Sequence, residues 1–221
     1  VSRGLGDVYK RQITEGEEDE CEQLMYALIL SGLAMQMIGN SRPASCAEHQ
    51  VTHLWDMEVI NGPLDALHGE KVSVAAFLVL EEYKRIAAAI TQGRCHAKPY
   101  ENEDEELLKE TFGKKGLLEE IRKENEPELL ETISPQHLEK CLNGIEEIID
   151  ELPSEQTMFH LLEKAGCAKT VYDIGLDESA VLPSLRLAPY TRRRLSLLRI
   201  SKMLDIRAVS YTHLRAHETL A

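Results

Sequence analysis

The sequence predicts an all-α fold, on three observations. Apolar residues recur at helical spacing through most of the chain. Alternating β-branched runs are nearly absent, and Thr170-Val171-Tyr172-Asp173 is too short to found a sheet. The apolar stretches are broken by helix-stop and turn residues at Gly39-Asn40, Asn61-Gly62-Pro63, Gly93 and Gly166. With 221 residues there is ample chain for a sizeable core.

Taken in order, the stretch from Glu17 to Ile38 opens acidic, as a helix N-terminus prefers, and is then apolar on nearly every face. That pattern predicts a central buried helix. Asn40 or Ser41 is expected to cap a second helix with Pro43 in its first turn, running on through Glu48, His49, His53 and Trp55. A third helix is expected from near His68, carrying Val72, Val74, Phe77, Leu78, Leu80, Tyr83 and Ile86 toward Ile90, with Gly93 as its stop. Shorter amphipathic helices follow at 105–112, 115–124, 134–152 and 154–165, and a last one at 190–204 after Pro189.

Charge and cysteine content exclude several classes. Lys and Arg number 25 against 38 Asp and Glu, a formal charge of −13 that disfavours binding to a phosphate backbone, so no nucleic-acid partner is expected. The five cysteines are odd in number, widely spaced and without a C-x-x-C pair, which speaks against a disulfide framework or a zinc ribbon and for a reducing, cytoplasmic setting. No apolar run is read as long enough to span a bilayer, so membrane insertion is not expected. The two ends, 1–12 and 209–221, resemble translated adaptor sequence and are set apart from the expected helical domain, 13–208.

The chemistry concentrates between Gly39 and Glu70. His49 and His53 are i, i+4 neighbours on one helix face, and His68 opens the next helix. The three converge if the two helices form a hairpin. An imidazole near a helix N-terminus is held neutral, the form a divalent metal needs, so His49 and His68 are candidate ligands, although interhelical hydrogen bonding accounts for such histidines as well. A third ligand is then required. The remaining histidines, His96, His137 and His160, read as surface or structural, and Cys21, Cys95, Cys141 and Cys167 as small core hydrophobes. Arg192, Arg193 and Arg194 with Arg199 and Lys202 read as a solvated or interdomain helix face.

The string Ser31-Gly32-Leu33-Ala34-Met35, Gly39-Asn40-Ser41-Arg42-Pro43-Ala44-Ser45, Glu48-His49, His53 and His68-Gly69-Glu70 resembles the sn-glycerol-1-phosphate dehydrogenases, especially their bacterial AraM-like branch. That family lies in the dehydroquinate synthase-like and iron-containing alcohol dehydrogenase superfamily. The likeness is dense from about 24 to 86 and thinner beyond, where Arg193-Arg194-Leu195 and Leu197-Leu198 look like the family's closing helix. Cys46 departs from the glycine usual there.

The resemblance implies a two-domain enzyme of which this chain matches only the C-terminal helical domain, without the N-terminal nucleotide-binding α/β domain. It implies a divalent metal, zinc before nickel or iron, held by His49, His68 and an aspartate that this chain does not supply. It also implies NAD(P) as cofactor and a small phosphorylated substrate. Reducing dihydroxyacetone phosphate builds negative charge on a carbonyl oxygen, which such a metal would stabilise. His53 is then placed to relay the proton, or to make a supporting hydrogen bond. Ser41, Arg42 and Ser45 surround the expected first turn of the second helix, where free N–H groups favour the substrate phosphate, and Glu48 is expected to orient a neighbour. A homodimer is expected from the family's habit.

Other readings stay open: a glycerol dehydrogenase or dehydroquinate synthase-like enzyme, or a helical interaction module without catalysis. If the chain is the helical part alone, the 221 residues by themselves show no NAD(P)H oxidation with dihydroxyacetone phosphate. Measurable turnover in that assay overturns the fragment reading.

Overall fold

The computed structural model describes residues 18–41 and 44–206. Arg42 and Pro43, and the whole of both suspected adaptor ends, lie outside the described residues. The fold is helical with one small ribbon: α1 (Glu18–Ile38), α2 (Ala47–Asp56), α3 (His68–Thr91), β1 (Cys95–Ala97), α4 (Glu105–Gly113), α5 (Leu118–Asn125), α6 (Pro135–Asp150), α7 (Glu155–Lys164), α8 (Val181–Leu187), α9 (Leu197–Ile200) and β2 (Leu204–Ile206). The all-α expectation holds. The ribbon pairs β1 with β2 antiparallel, Cys95 opposite Ile206 and Ala97 opposite Leu204.

Helix α3 is the axis. It begins at His68, where the Glu70 carboxylate accepts the backbone N–H of Leu67 at 2.7 Å, and its end is followed by Gly93 at φ +62°, a left-handed turn that glycine takes without strain. Its first half packs Val74, Ala75 and Leu78 against Val51 and Trp55 of α2 and against Ile174, Val181 and Leu198. Its second half packs Ile86, Ala89 and Ile90 against Leu138 and Leu142 of α6, and against Met203 and Leu204. A third cluster joins Leu54 of α2 to Leu108 and Phe112 of α4, Ile121 of α5, Leu187 and Tyr190. α2 and α3 therefore lie side by side as the hairpin that brings the candidate histidines together.

Several sequence expectations need correction. α1 is not a buried central helix: its apolar residues are exposed, from 43% at Leu24 to 88% at Met37. An all-apolar surface calls for burial, but burial needs a partner, and among the described residues none covers this helix. The stretch Cys21–Ile38 is also, by length and composition, one helix long and apolar enough to cross a membrane, contrary to the sequence reading. Next, α2 starts at Ala47 with Cys46 at the cap, not at Ser41. Finally, the expected last helix at 190–204 is interrupted: Ala188–Thr191 is a 3-10 turn, residues 192–196 form a loop, and only Leu197–Ile200 is α-helical. Of the cysteines expected in the core only Cys95 is buried; Cys21 and Cys167 are exposed and Cys141 is intermediate.

That loop is held by polar groups in the interior. Arg199 is 1% exposed; its guanidinium donates to both oxygens of Glu128 at 2.9 and 3.1 Å, to Asn125 Oδ1 and to the carbonyl of Pro189. From the opposite side Gln50 of α2, also 1% exposed, donates to the carbonyl of Arg192 at 3.1 Å and accepts the Ser196 hydroxyl at 2.8 Å. Asn125 Nδ2 closes the set on the carbonyl of Tyr190 at 2.7 Å. Buried backbone carbonyls without regular secondary structure must find donors, and Arg199, Gln50 and Asn125 supply them. Nearby, buried Asp104 accepts from Arg186 Nε at 2.9 Å, from Lys202 Nζ and from the Tyr190 hydroxyl at 3.2 Å. Of the supposed solvated basic face, Arg199 and Lys202 are thus spent on interior partners, while Arg192 is exposed and Arg193 and Arg194 are half-buried.

Two outcomes follow. Arg199→Met keeps the aliphatic stem but leaves Glu128 and Asn125 facing each other unpaired, and is expected to cost about 3–5 kcal/mol; urea unfolding measures it, and a loss under about 0.5 kcal/mol would show the network idle. Burial alone would raise the Asp104 carboxyl, but Lys202 and Arg186 outweigh it and hold it below the ordinary range. The ionised group therefore stabilises at neutral pH, and that contribution is lost as pH falls through its depressed native pKa. Asp104→Asn is expected to lower the urea midpoint at neutral pH, with the gap to the parent narrowing below about pH 3.9.

Candidate functional site

The hairpin of α2 and α3 gathers the three histidines that the spacing singled out. The ring centroids of His49 and His53 are 6.4 Å apart, those of His49 and His68 5.9 Å, and those of His53 and His68 6.1 Å. Two of the rings are each held at Nδ1 by a carboxylate. His49 Nδ1 lies 2.9 Å from Glu48 Oε1, and His68 Nδ1 lies 3.2 Å from Asp56 Oδ2. Asp56 is itself fixed by Lys71 Nζ at 2.5 Å. A carboxylate on Nδ1 favours the tautomer that carries its proton there and leaves the Nε2 lone pair for a ligand. Glu48 thus orients its neighbour, as expected, and also accepts the Cys46 N–H at 2.9 Å.

His53, partly buried, forms the third corner of a near-equilateral triangle with these two rings. Its imidazole is held below the ordinary range, first by burial and then by the Arg192 guanidinium, with the other two histidines adding to the effect and Asp56 opposing it. It is therefore neutral at physiological pH, able to take or give one proton. His53 and Arg192 both line a cavity of about 530 Å³ whose wall also includes Met57, Ile121, Lys123 and Thr191.

Of the candidate phosphate-binding residues, Ser45 lies directly before α2, while Ser41 is four residues further back on an exposed turn. Their shared partner is Arg194, which donates to the Ser41 hydroxyl at 2.8 Å and to the Ser45 hydroxyl at 3.1 Å and carbonyl. Arg42 lies outside the described residues. Cys46 is exposed and does not line the cavity, and partial desolvation pushes its thiol up. Sequence reasoning missed Asp56, Arg192 and Arg194. Asp56 was within reach, three residues after His53 and seven after His49 on the same helix face. The arginines lie some 140 residues along the chain, with no local signal linking them to α2.

Among the described residues no group of three or more His, Cys, Asp or Glu side chains stands close enough to hold a metal ion. The donor chemistry fits a share of such a site. Two imidazoles on one tetrahedral ion, with Zn–N near 2.0–2.1 Å, have centroids about 5 Å apart. His49 and His68 would need to close by roughly an ångström, and a third ligand would have to come from elsewhere.

No protein-family model matches the chain, and no solved structure does. Among curated proteins it is similar to glycerol-1-phosphate dehydrogenases [NAD(P)+]. The one from Halalkalibacterium halodurans is 32% identical over 85% of this chain and 39% of its own length. That from Geobacillus stearothermophilus is 30% identical over 80% and 37%, and that from Geobacillus thermodenitrificans 28% over 81% and 38%. The chain spans less than two fifths of the relatives it matches. Over about four fifths of its own length, the chain is thus a homologue of part of the glycerol-1-phosphate dehydrogenases.

Proposed function

We propose that this chain forms the metal- and substrate-binding helical part of an NAD(P)-linked sn-glycerol-1-phosphate dehydrogenase, interconverting dihydroxyacetone phosphate and sn-glycerol 1-phosphate in the cytoplasm. The observation that carries the proposal is the meeting of His49, His53 and His68 within 5.9–6.4 Å, two of them held at Nδ1 by carboxylates. The printed names of the relatives supply the reaction.

His49 and His68 are assigned as ligands of a divalent ion, zinc before nickel or iron, since neutral imidazole suits all three. When bound, such an ion would supply Lewis-acid stabilisation for the charge that builds on a carbonyl oxygen during hydride transfer. Proton transfer and phosphate binding fall to the chain's own groups. His53 is neutral and lies beside both proposed ligands, where it can hand a proton to the oxygen that becomes the alcohol and take it back in the reverse direction. Arg192, lining the cavity with His53, adds to burial in lowering the pKa of that imidazole and offers a positive charge to an anionic substrate. Ser41, Arg42 and Ser45 are assigned to the phosphate. The third ligand and the NAD(P)-binding groups belong to a part of the enzyme that the matched region does not include. The exposed apolar surface of α1 is assigned to packing against that part or against a second subunit.

The test is a chimera in which residues 13–208 replace the matching segment of the Halalkalibacterium halodurans relative. The expected result is NAD(P)H oxidation that depends on dihydroxyacetone phosphate, with the bound metal counted by mass spectrometry. His49→Ala and His68→Ala should each lose both metal and turnover. His53→Ala should keep the metal and lower kcat by about 10²–10⁴-fold. Metal retained in both ligand variants would overturn the assignment.

A further inference from the structure

We propose that Arg194 is a positioning residue for His49, acting through Ser45 and Glu48 across 149 residues of chain. Its consequence for catalysis rests on the reading of His49 as a metal ligand, but the orientation itself needs no metal.

The linkage can be followed atom by atom. His49 Nδ1 is held by Glu48 Oε1 at 2.9 Å, and the same oxygen accepts the backbone N–H of Cys46 at 2.9 Å. Glu48 therefore keeps its place only while Cys46 keeps its own. Cys46 stands just outside α2 with non-helical torsions, φ −127° and ψ −133°, and no side chain caps the helix there. What fixes that stretch is the residue before it. Ser45 presents its carbonyl and its hydroxyl to Arg194 Nη1, the hydroxyl at 3.1 Å, while Nη2 of the same fork takes the Ser41 hydroxyl at 2.8 Å.

Arg194 is itself anchored to the helix it serves. Its N–H donates to the Arg192 carbonyl at 2.8 Å, and that carbonyl also accepts Gln50 Nε2, one residue after His49, at 3.1 Å. The loop and the segment entering α2 thus form a closed ring of hydrogen bonds, with the planar guanidinium as the part that spans two acceptors at once. Lysine reaches one acceptor as a point charge and cannot reproduce the fork. Groups that fix the tautomer and direction of a ligating imidazole commonly act at one remove in this way.

The readout is the tautomer of His49 in the 221-residue chain, measured by long-range ¹⁵N–¹H correlation at a pH where imidazole is neutral. The parent is expected to hold the proton on Nδ1. Arg194→Met is expected to shift the tautomer ratio of His49 toward Nε2–H by roughly two- to tenfold, the worth of one hydrogen bond. His68, held by Asp56, should not move. Arg194→Lys should fall between parent and Arg194→Met. Glu48→Ala should shift His49 at least as far, and adding Arg194→Met to it should change nothing more. The proposal is overturned if His49 in Arg194→Met matches the parent, if His49 and His68 shift together as in a general loosening, or if the double variant shifts beyond Glu48→Ala. Because neither metal nor turnover enters, a failed dehydrogenase assay leaves this result standing, and an unmoved tautomer leaves the dehydrogenase reading untouched.

Discussion

The buried guanidinium of Arg199 is the constraint on which the site depends. A charge taken out of water is tolerable only if most of its donors are spent on acceptors, and here both Nη groups go to Glu128, Asn125 and the carbonyl of Pro189. Those acceptors lie on different pieces of chain, so satisfying the charge fixes the approach to 192–196 against α5. Gln50 draws the same segment onto α2. With both sides held, the short loop has few conformations left, and it brings Arg192 to the cavity wall beside His53 and Arg194 to Ser45. The interior network is a device for placing two surface arginines as much as a source of stability.

The histidine site was largely legible in the sequence because its geometry is local. Four residues on a helix is one turn, and a Pro-broken connection into a helix that starts at His68 is what a hairpin needs. The axis helix was legible for the same reason, through the apolar spacing from Val74 to Ile90 and the stop at Gly93. The C-terminal segment was not. Arg192 to Lys202 has the spacing of an amphipathic helix, and the partners that turn it into a loop, Gln50, Asn125 and Glu128, are not its sequence neighbours. Ionic and hydrogen-bonding partners carry no periodicity, so a basic stripe looks the same whether it faces water or a buried carboxylate.

α1 shows a different limit. A helix apolar on all faces states that it will be covered, but not by what. Leu24, Leu28 and Leu33 are each about half exposed, and the described residues provide no surface to meet them. The same composition passes the length and hydropathy test for a membrane helix. Pattern alone does not separate a helix awaiting protein from one awaiting lipid, because both solvents are apolar.

Net charge and local charge also part company. At −13 the chain repels anions at long range, yet a phosphorylated substrate is the one its relatives' names imply. Over more than a Debye length the net charge is screened, and what an anion meets at the site is set by the groups within a few ångströms. There Arg192 lines the cavity and Arg194 stands over the entry to α2, while the carboxylates of Glu48 and Asp56 are turned toward imidazole nitrogens. A carboxylate paired with an Nδ1–H presents less of its charge to an approaching anion than a free one does. The acidic background suits solubility, and pairing with histidines limits how far Glu48 and Asp56 oppose an anionic substrate, while Glu120 and Glu124 on the same cavity wall are offset by Arg192 and Lys123.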